Sequence, residues 1–425
     1  MERWEKLIYL FSQSSGVDDR RVESLEEWKR TMWILWAGVL MCSASYTMSV
    51  PFLPLFLFDL GVDESSVHIW AGVIYSSAFI IGAVMGPFWG GIADKYGKRK
   101  MVIRAGISLC IIYALLSIVQ TPWQLLMLRL LHGLMSGFVP ASMSIVASRT
   151  PEKEMGWSLG MMHGGAMFGT IMGPLMGGLL ADWFGIRHSF IASSIIMLAA
   201  VLAVIVFVTE GKAESGANKR VGLLETFKSA GTNKALLHLL ILLIIYQLSI
   251  NMIQPLLTLH IANMQGKLQG AVLTSGIVFS IIGIAGIIAA PVWGRIGQAL
   301  SYQRSLFICM FCAGCVISGQ YFVDKLWLFT VVQFMFGLFI AGISPAVNTL
   351  VVASTDKSFR GRSFGLMTSA NQTGAMLGPL IGGLLGSLFG IHWVFVATGV
   401  ILVCTGLAVR VKAPGTATPS DQHLS

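Results

Sequence analysis

Twelve stretches of this chain are apolar over lengths that match a membrane crossing, and that leaves it few ways to fold. They run over 32–57, 69–90, 102–120, 123–147, 157–180, 187–209, 235–261, 271–294, 304–323, 326–353, 363–388 and 391–410. A helix crosses the hydrocarbon core in about 20 residues. Lipid offers backbone amides no hydrogen bonds, so each stretch must satisfy its own backbone as a helix. The expected fold is an all-α integral membrane protein. With 55% hydrophobic and 12% charged residues, the chain has too little polar surface for a soluble globule of 425 residues.

Basic residues set the expected orientation. With the N-terminus inside, the arms and inner loops hold 25 of the 29 Lys and Arg. The outer loops hold Arg187, Lys267 and Lys325, and Arg129 lies within a span. That bias places both termini in the cytoplasm of a cell with this protein in its plasma membrane. The net charge of +9 is then an orientation signal, and its scatter over short loops argues against nucleic acid as partner. Cys309, Cys312 and Cys315 recur at every third residue, but no fourth ligand accompanies them. They read as small residues at a helix contact, and no metal is expected. The acidic residues of the first 30 positions exclude a signal peptide. Trp4, Leu7, Ile8 and Phe11 share one helical face there, which would suit a short interfacial helix.

The chain is also built twice. Gly160, Gly169, Gly173-Pro174 and Gly177-Gly178 return 205 residues later as Gly365, Gly374, Gly378-Pro379 and Gly382-Gly383. Over 160–190 against 365–395, 14 of 31 positions are identical. Repetition at half the chain length predicts two copies of one unit. The expected organisation is an arm (1–30), a six-span bundle (31–209), a polar connector (210–234), a second six-span bundle (235–412) and a tail (413–425). Gly165, Gly169, Gly173 and Gly177 recur every four residues and form a bare groove that lets a neighbouring helix come close. Pro51 and Pro54 should bend the first span, and Pro174 the outer end of the fifth.

The inner loop after the second span carries Gly90-x-Ile92-Ala93-Asp94-Lys95-x-Gly97-Lys98-Arg99. This pattern resembles the loop signature of the major facilitator superfamily. The glycine–proline pattern of the fifth span resembles the signature of that superfamily's drug:proton antiporters. Arg129-x-x-His132-Gly133 in the fourth span resembles a third family motif. Together these cover essentially all of residues 28–410. The resemblance implies two six-helix bundles rocking about a midplane site, export of small amphiphilic compounds, and protons moving inward in exchange. It also implies that Asp94 anchors an inner gate near Arg360 and Arg362. No cofactor is expected, the proton gradient being the energy source. The chain has no Gly-x4-Gly-Lys-Ser/Thr phosphate loop and no recognisable nucleophile–base pair, so neither an ATPase nor any other enzyme is expected. With no long outer loop or folded tail, a monomer is the default.

Arg129 lies within a span, where a charge costs about 2.5–3.5 kcal/mol, so it is expected to face a wet cavity. His132 and Gly133 lie one turn on, on the same side. The equivalent of Arg129 in the second half is Gln333, so the charge is asymmetric. Further candidates for the cavity are Tyr46, Tyr75, the amide row Gln247, Asn251 and Gln254, and Asn371 with Gln372. The amides would serve interhelical hydrogen bonding equally well. Phe79, Met161, Met162, Phe279, Phe334 and Met335 would suit varied apolar ligands, although a Met stripe also suits a core. With no acid at mid-membrane, neutral or anionic ligands fit Arg129 better than cations. Candidates for the proton are Asp59 at the outer rim, Asp94 at the inner turn, and His132 and His163 at depth. Arg129 disfavours a second positive charge on His132, which makes it a poor resting carrier. An importer of a polar metabolite, or a receptor that has lost transport, would use the same fold.

Overall fold

The computed structural model describes residues 19–209, 233–266, 270–355 and 360–411. The connector at 210–232, the tail and the helix expected around Trp4 and Phe11 lie outside the described residues. The rest is helical. The first span is α1 (Asp19–Ser49), a 3-10 turn (Val50–Phe52) and α2 (Leu53–Asp59). Then come α3 (Glu64–Tyr96), α4 (Lys98–Leu116), α5 (Pro122–Met135), α6 (Phe138–Arg149), α7 (Met155–Phe184) and α8 (Ile186–Phe207). The second half has α9 (Lys234–Gln265), α10 (Ala271–Leu300), α11 (Tyr302–Gly319), α12 (Leu326–Ile340), α13 (Ile343–Ala353), α14 (Arg360–Phe389) and α15 (Ile391–Val411). Among the described residues, ten segments are long and apolar enough to cross a membrane. The other two expected spans, α4 and α14, pack along such segments, α4 on α8 and α14 on α9 and α3.

α1 begins at Asp19, well before the first span, because the stretch to Arg30 is rich in the helix formers Glu, Leu, Lys and Arg. Pro51 and Pro54 interrupt the first span, as their missing amides require. The Val50 carbonyl would normally accept from residue 54, which is proline; the Tyr75 hydroxyl donates to it instead, at 2.9 Å.

The fourth and tenth spans, read as single helices, are each two. α5 ends at Met135, and α6 restarts after Gly137, whose φ of +131° suits glycine. Pro140 in the first turn of α6 cannot donate to the Ser136 carbonyl. Pro345 occupies the same place in α13.

The two halves share one packing scheme. α7 lies on α1 and α14 lies on α9. A side chain on Gly169, Gly173 or Gly177 would collide with the carbonyls of Leu40, Ala44 or Met48. On Gly374, Gly378 or Gly382 it would collide with those of Ile244, Leu248 or Met252. Each step of four residues on one helix meets four on its partner, so the seam is bare backbone on backbone. Gly160 and Gly365, at the far end of each pattern, face open space.

The opposite faces of α7 and α14 join the halves. Gly276 of α10 sits on the Pro174 carbonyl, and Gly72 of α3 on that of Pro379. Ser280 donates to the Ile171 carbonyl and Ser76 to that of Met376, each at 2.7 Å. These twin contacts close the bundle at the end that carries Asp63 and Gly185.

Candidate functional site

Toward the other end, near the Gly97 turn, the bundle is hollow. A cavity of about 1350 Å³ runs between α1, α3, α4, α5, α6, α7 and α14. Its wall reaches Ala93, Met101 and Gly365, close to the ends of α3, α4 and α14. The cavity is therefore open where the basic loops lie and shut where the twin contacts join the halves.

Of the expected cavity residues, Tyr46, His132 and Gln372 line the wall. The Tyr46 and His132 rings lie 5.4 Å apart, and the Tyr113 hydroxyl is 3.5 Å from His132 Nε2. Arg129 is 1% exposed and lies behind this layer. Its Nε donates to the Ile74 carbonyl at 3.4 Å, and its guanidinium carbon is 5.8 Å from the Tyr46 ring. Among the described residues, one terminal nitrogen of Arg129 and Nδ1 of His132 find no partner. Gly133 packs on the Ala78 carbonyl and Tyr75 is held by Val50, so neither borders the cavity.

The amide row divides. Gln247 donates to Asn371 Oδ1 at 3.0 Å, and Asn251 donates to the Gln247 carbonyl at 2.7 Å. Gln254 is exposed. Gln247 and Asn371 thus tie α9 to α14. Met162 is buried, Met335 is exposed, and Phe334 borders a separate shallow groove with Ile281 and Ile284. Among the proton candidates, Asp59 and His163 are exposed. The side chains of Asp94, Lys95, Arg360 and Arg362 lie outside the described residues, and so does the expected gate contact. Lys98 donates to the Ser144 carbonyl at 3.3 Å and Arg99 to that of Ile205 at 2.7 Å, tying α4 to its own bundle.

Among the wall residues that were not anticipated are Cys42, Trp89, Arg104 and Tyr113. Arg104 counts as a loop cation when only the sequence is read. The signal that could have found it is Pro140, which frees the Ser136 carbonyl for an outside donor. Arg104 donates to the carbonyls of Met135 and Ser136 at 3.4 and 3.3 Å.

Three comparisons bear on this architecture. The model of the Major Facilitator Superfamily matches residues 35–319 and 239–424. The multidrug resistance protein MdtG of Enterobacter lignolyticus is 31% identical over 93% of this chain and 95% of its own. The MdtG of Citrobacter koseri is 32% identical over 88% and 93%. The crystal structure of the nucleoside transporter NupG superimposes with a TM-score of 0.77, covering 90% of this chain and all of that one. At 14% identity that likeness speaks to the fold alone.

Proposed function

Since the chain belongs to the major facilitator superfamily, and is a multi-pass membrane transporter rather than an enzyme, we propose that it exports small amphiphilic compounds by alternating access in exchange for protons. The observation that carries this reading is the hollow shut at one end by two matched contacts between the halves, α10 on α7 and α3 on α14. Two contacts of the same build, related by the repeat, can part together as the halves rock. The names of the MdtG relatives support a multidrug cargo. A wall that mixes aromatic rings, hydroxyls and apolar side chains suits ligands with both a wet and a greasy part.

The orientation proposed is the one that the basic loops imply, with both termini cytoplasmic and the hollow facing inward. Of the proton candidates whose side chains are described, His132 is the one on the cavity wall. The unit is proposed to work as a monomer.

The test is reconstitution of the purified chain into vesicles with an imposed pH gradient. A fluorescent amphiphile should move against its own gradient while protons move the other way. Movement without any response to the pH gradient would discard the exchange, and no movement would discard export.

A further inference from the structure

The cavity wall holds a fixed cation beside which no acid stands among the described residues. The Arg104 guanidinium lies flat on Trp89, its carbon 3.5 Å from the ring centroid. Trp89 is itself pinned, its indole N–H donating to the Leu134 carbonyl at 2.6 Å. Stacking of this kind fixes the plane of the guanidinium and so preorganises its fork of donors. One terminal nitrogen serves the Met135 and Ser136 carbonyls. Among the described residues the other meets the Met135 sulfur, at 3.8 Å, a weak acceptor. No Asp or Glu lines the cavity among the described residues. Lys98 adds a second positive charge beside the wall residue Ser144. In a hollow of low dielectric, two cations without a carboxylate raise the local potential for anions.

We infer that Arg104 is the docking point for an anionic headgroup, a carboxylate, sulfonate or phosphonate, on an amphiphilic ligand. An oxygen of the anion takes the terminal nitrogen that the carbonyls leave over, in a charge-assisted hydrogen bond. The apolar part lies against Val84, Leu109, Phe138 and Val139 of the same wall. Arg129 does not serve as this cation, because it lies behind Tyr46 and His132. The bland alternative is that Arg104 only caps the carbonyls freed where α5 gives way to α6. That role uses one terminal nitrogen and leaves the other, on a residue of the cavity wall, against the Met135 sulfur.

The inference rests on the cavity being a binding site, as the export reading holds, but its test reads binding and not transport. The full chain in lipid nanodiscs is titrated with 1-naphthalenesulfonate and with 1-naphthalenemethanol, matched in shape. The sulfonate should bind about tenfold more tightly. Arg104→Gln should erase that preference and leave affinity for the alcohol unchanged, and Arg104→Lys should keep part of it. Equal binding of the two probes by the unaltered protein, or a preference that survives Arg104→Gln, overturns the inference. Should Arg104→Gln fail to fold, phenylglyoxal labelling of the unaltered chain decides. The sulfonate, but not the alcohol, should protect Arg104, and equal labelling overturns the assignment. Sulfonate preference without pH-driven export in vesicles would remove the export reading and leave the docking site standing.

Discussion

The two halves of this protein agree in what touches backbone and differ in the polar groups that they bury inside the bundle. α7 on α1 and α14 on α9 meet through the same glycines at the same steps. Ser76 and Ser280 make the same bond across the two interfaces. Trp89 and Trp293 donate to Leu134 and Leu338 in the same way, at 2.6 and 2.8 Å. The polar groups are not duplicated. Where the first half buries Arg129, the second buries Gln333, bonded to Gln320 at 3.3 Å. Where the first places His132 beside Tyr46, the second has Phe336. Duplicated packing lets both halves move alike, whereas the chemistry of a single central hollow needs only one copy.

If packing is what the halves share, equal damage should follow from equal insults. Gly177→Val and Gly382→Val each drive a side chain into the Met48 or Met252 carbonyl. Each should cost about 3 kcal/mol and be seen as lost expression and a lower melting temperature. A large cost in one half and none in the other would break the comparison.

A smaller effect is expected where the halves differ. Arg129→Gln gives the first half the residue that the second already has. The fold should persist, and pH-driven transport should fall about tenfold, an effect worth ~1.4 kcal/mol on the transport barrier. Full activity in that variant would mean that the asymmetry at this position carries no function.

The smallest effect concerns the tight turns. Gly97 and Ser301 occupy equivalent places, with φ of +104° and +85°. The second copy has lost its glycine and holds a serine in a conformation that costs about 1 kcal/mol or more. Ser301→Gly should therefore raise thermal stability by about 1 kcal/mol, and Gly97→Ser should lower it by a similar amount. Calorimetry or a thermal-shift series on the purified protein would read both. A Ser301→Gly variant no more stable than its parent would show that the turn is unstrained.

Much of the fold was legible because the membrane forces it. Long apolar runs can only be helices there, and the repeat of Gly160–Gly178 at Gly365–Gly383 announces two like units. The breaks at Gly137 and Gly342 were missed because hydropathy is blind to a change of direction inside an apolar run. The site was harder to read. Arg129 and Tyr75 looked like cavity residues by depth and side chain, yet they serve carbonyls at Ile74 and Val50. Arg104 looked like a loop cation and stands in the wall.

The sequence by itself determined that the apolar runs are helical, that the unit is duplicated and which face of α7 and α14 must meet bare backbone. Each of these follows from local length, periodicity and the absence of a side chain, which neighbouring residues alone can specify. Only the tertiary structure decided which end of the bundle is shut and which polar groups meet the hollow. Those depend on a few ångströms of depth between helices far apart in the chain, and on which carbonyls the prolines leave in need of a donor.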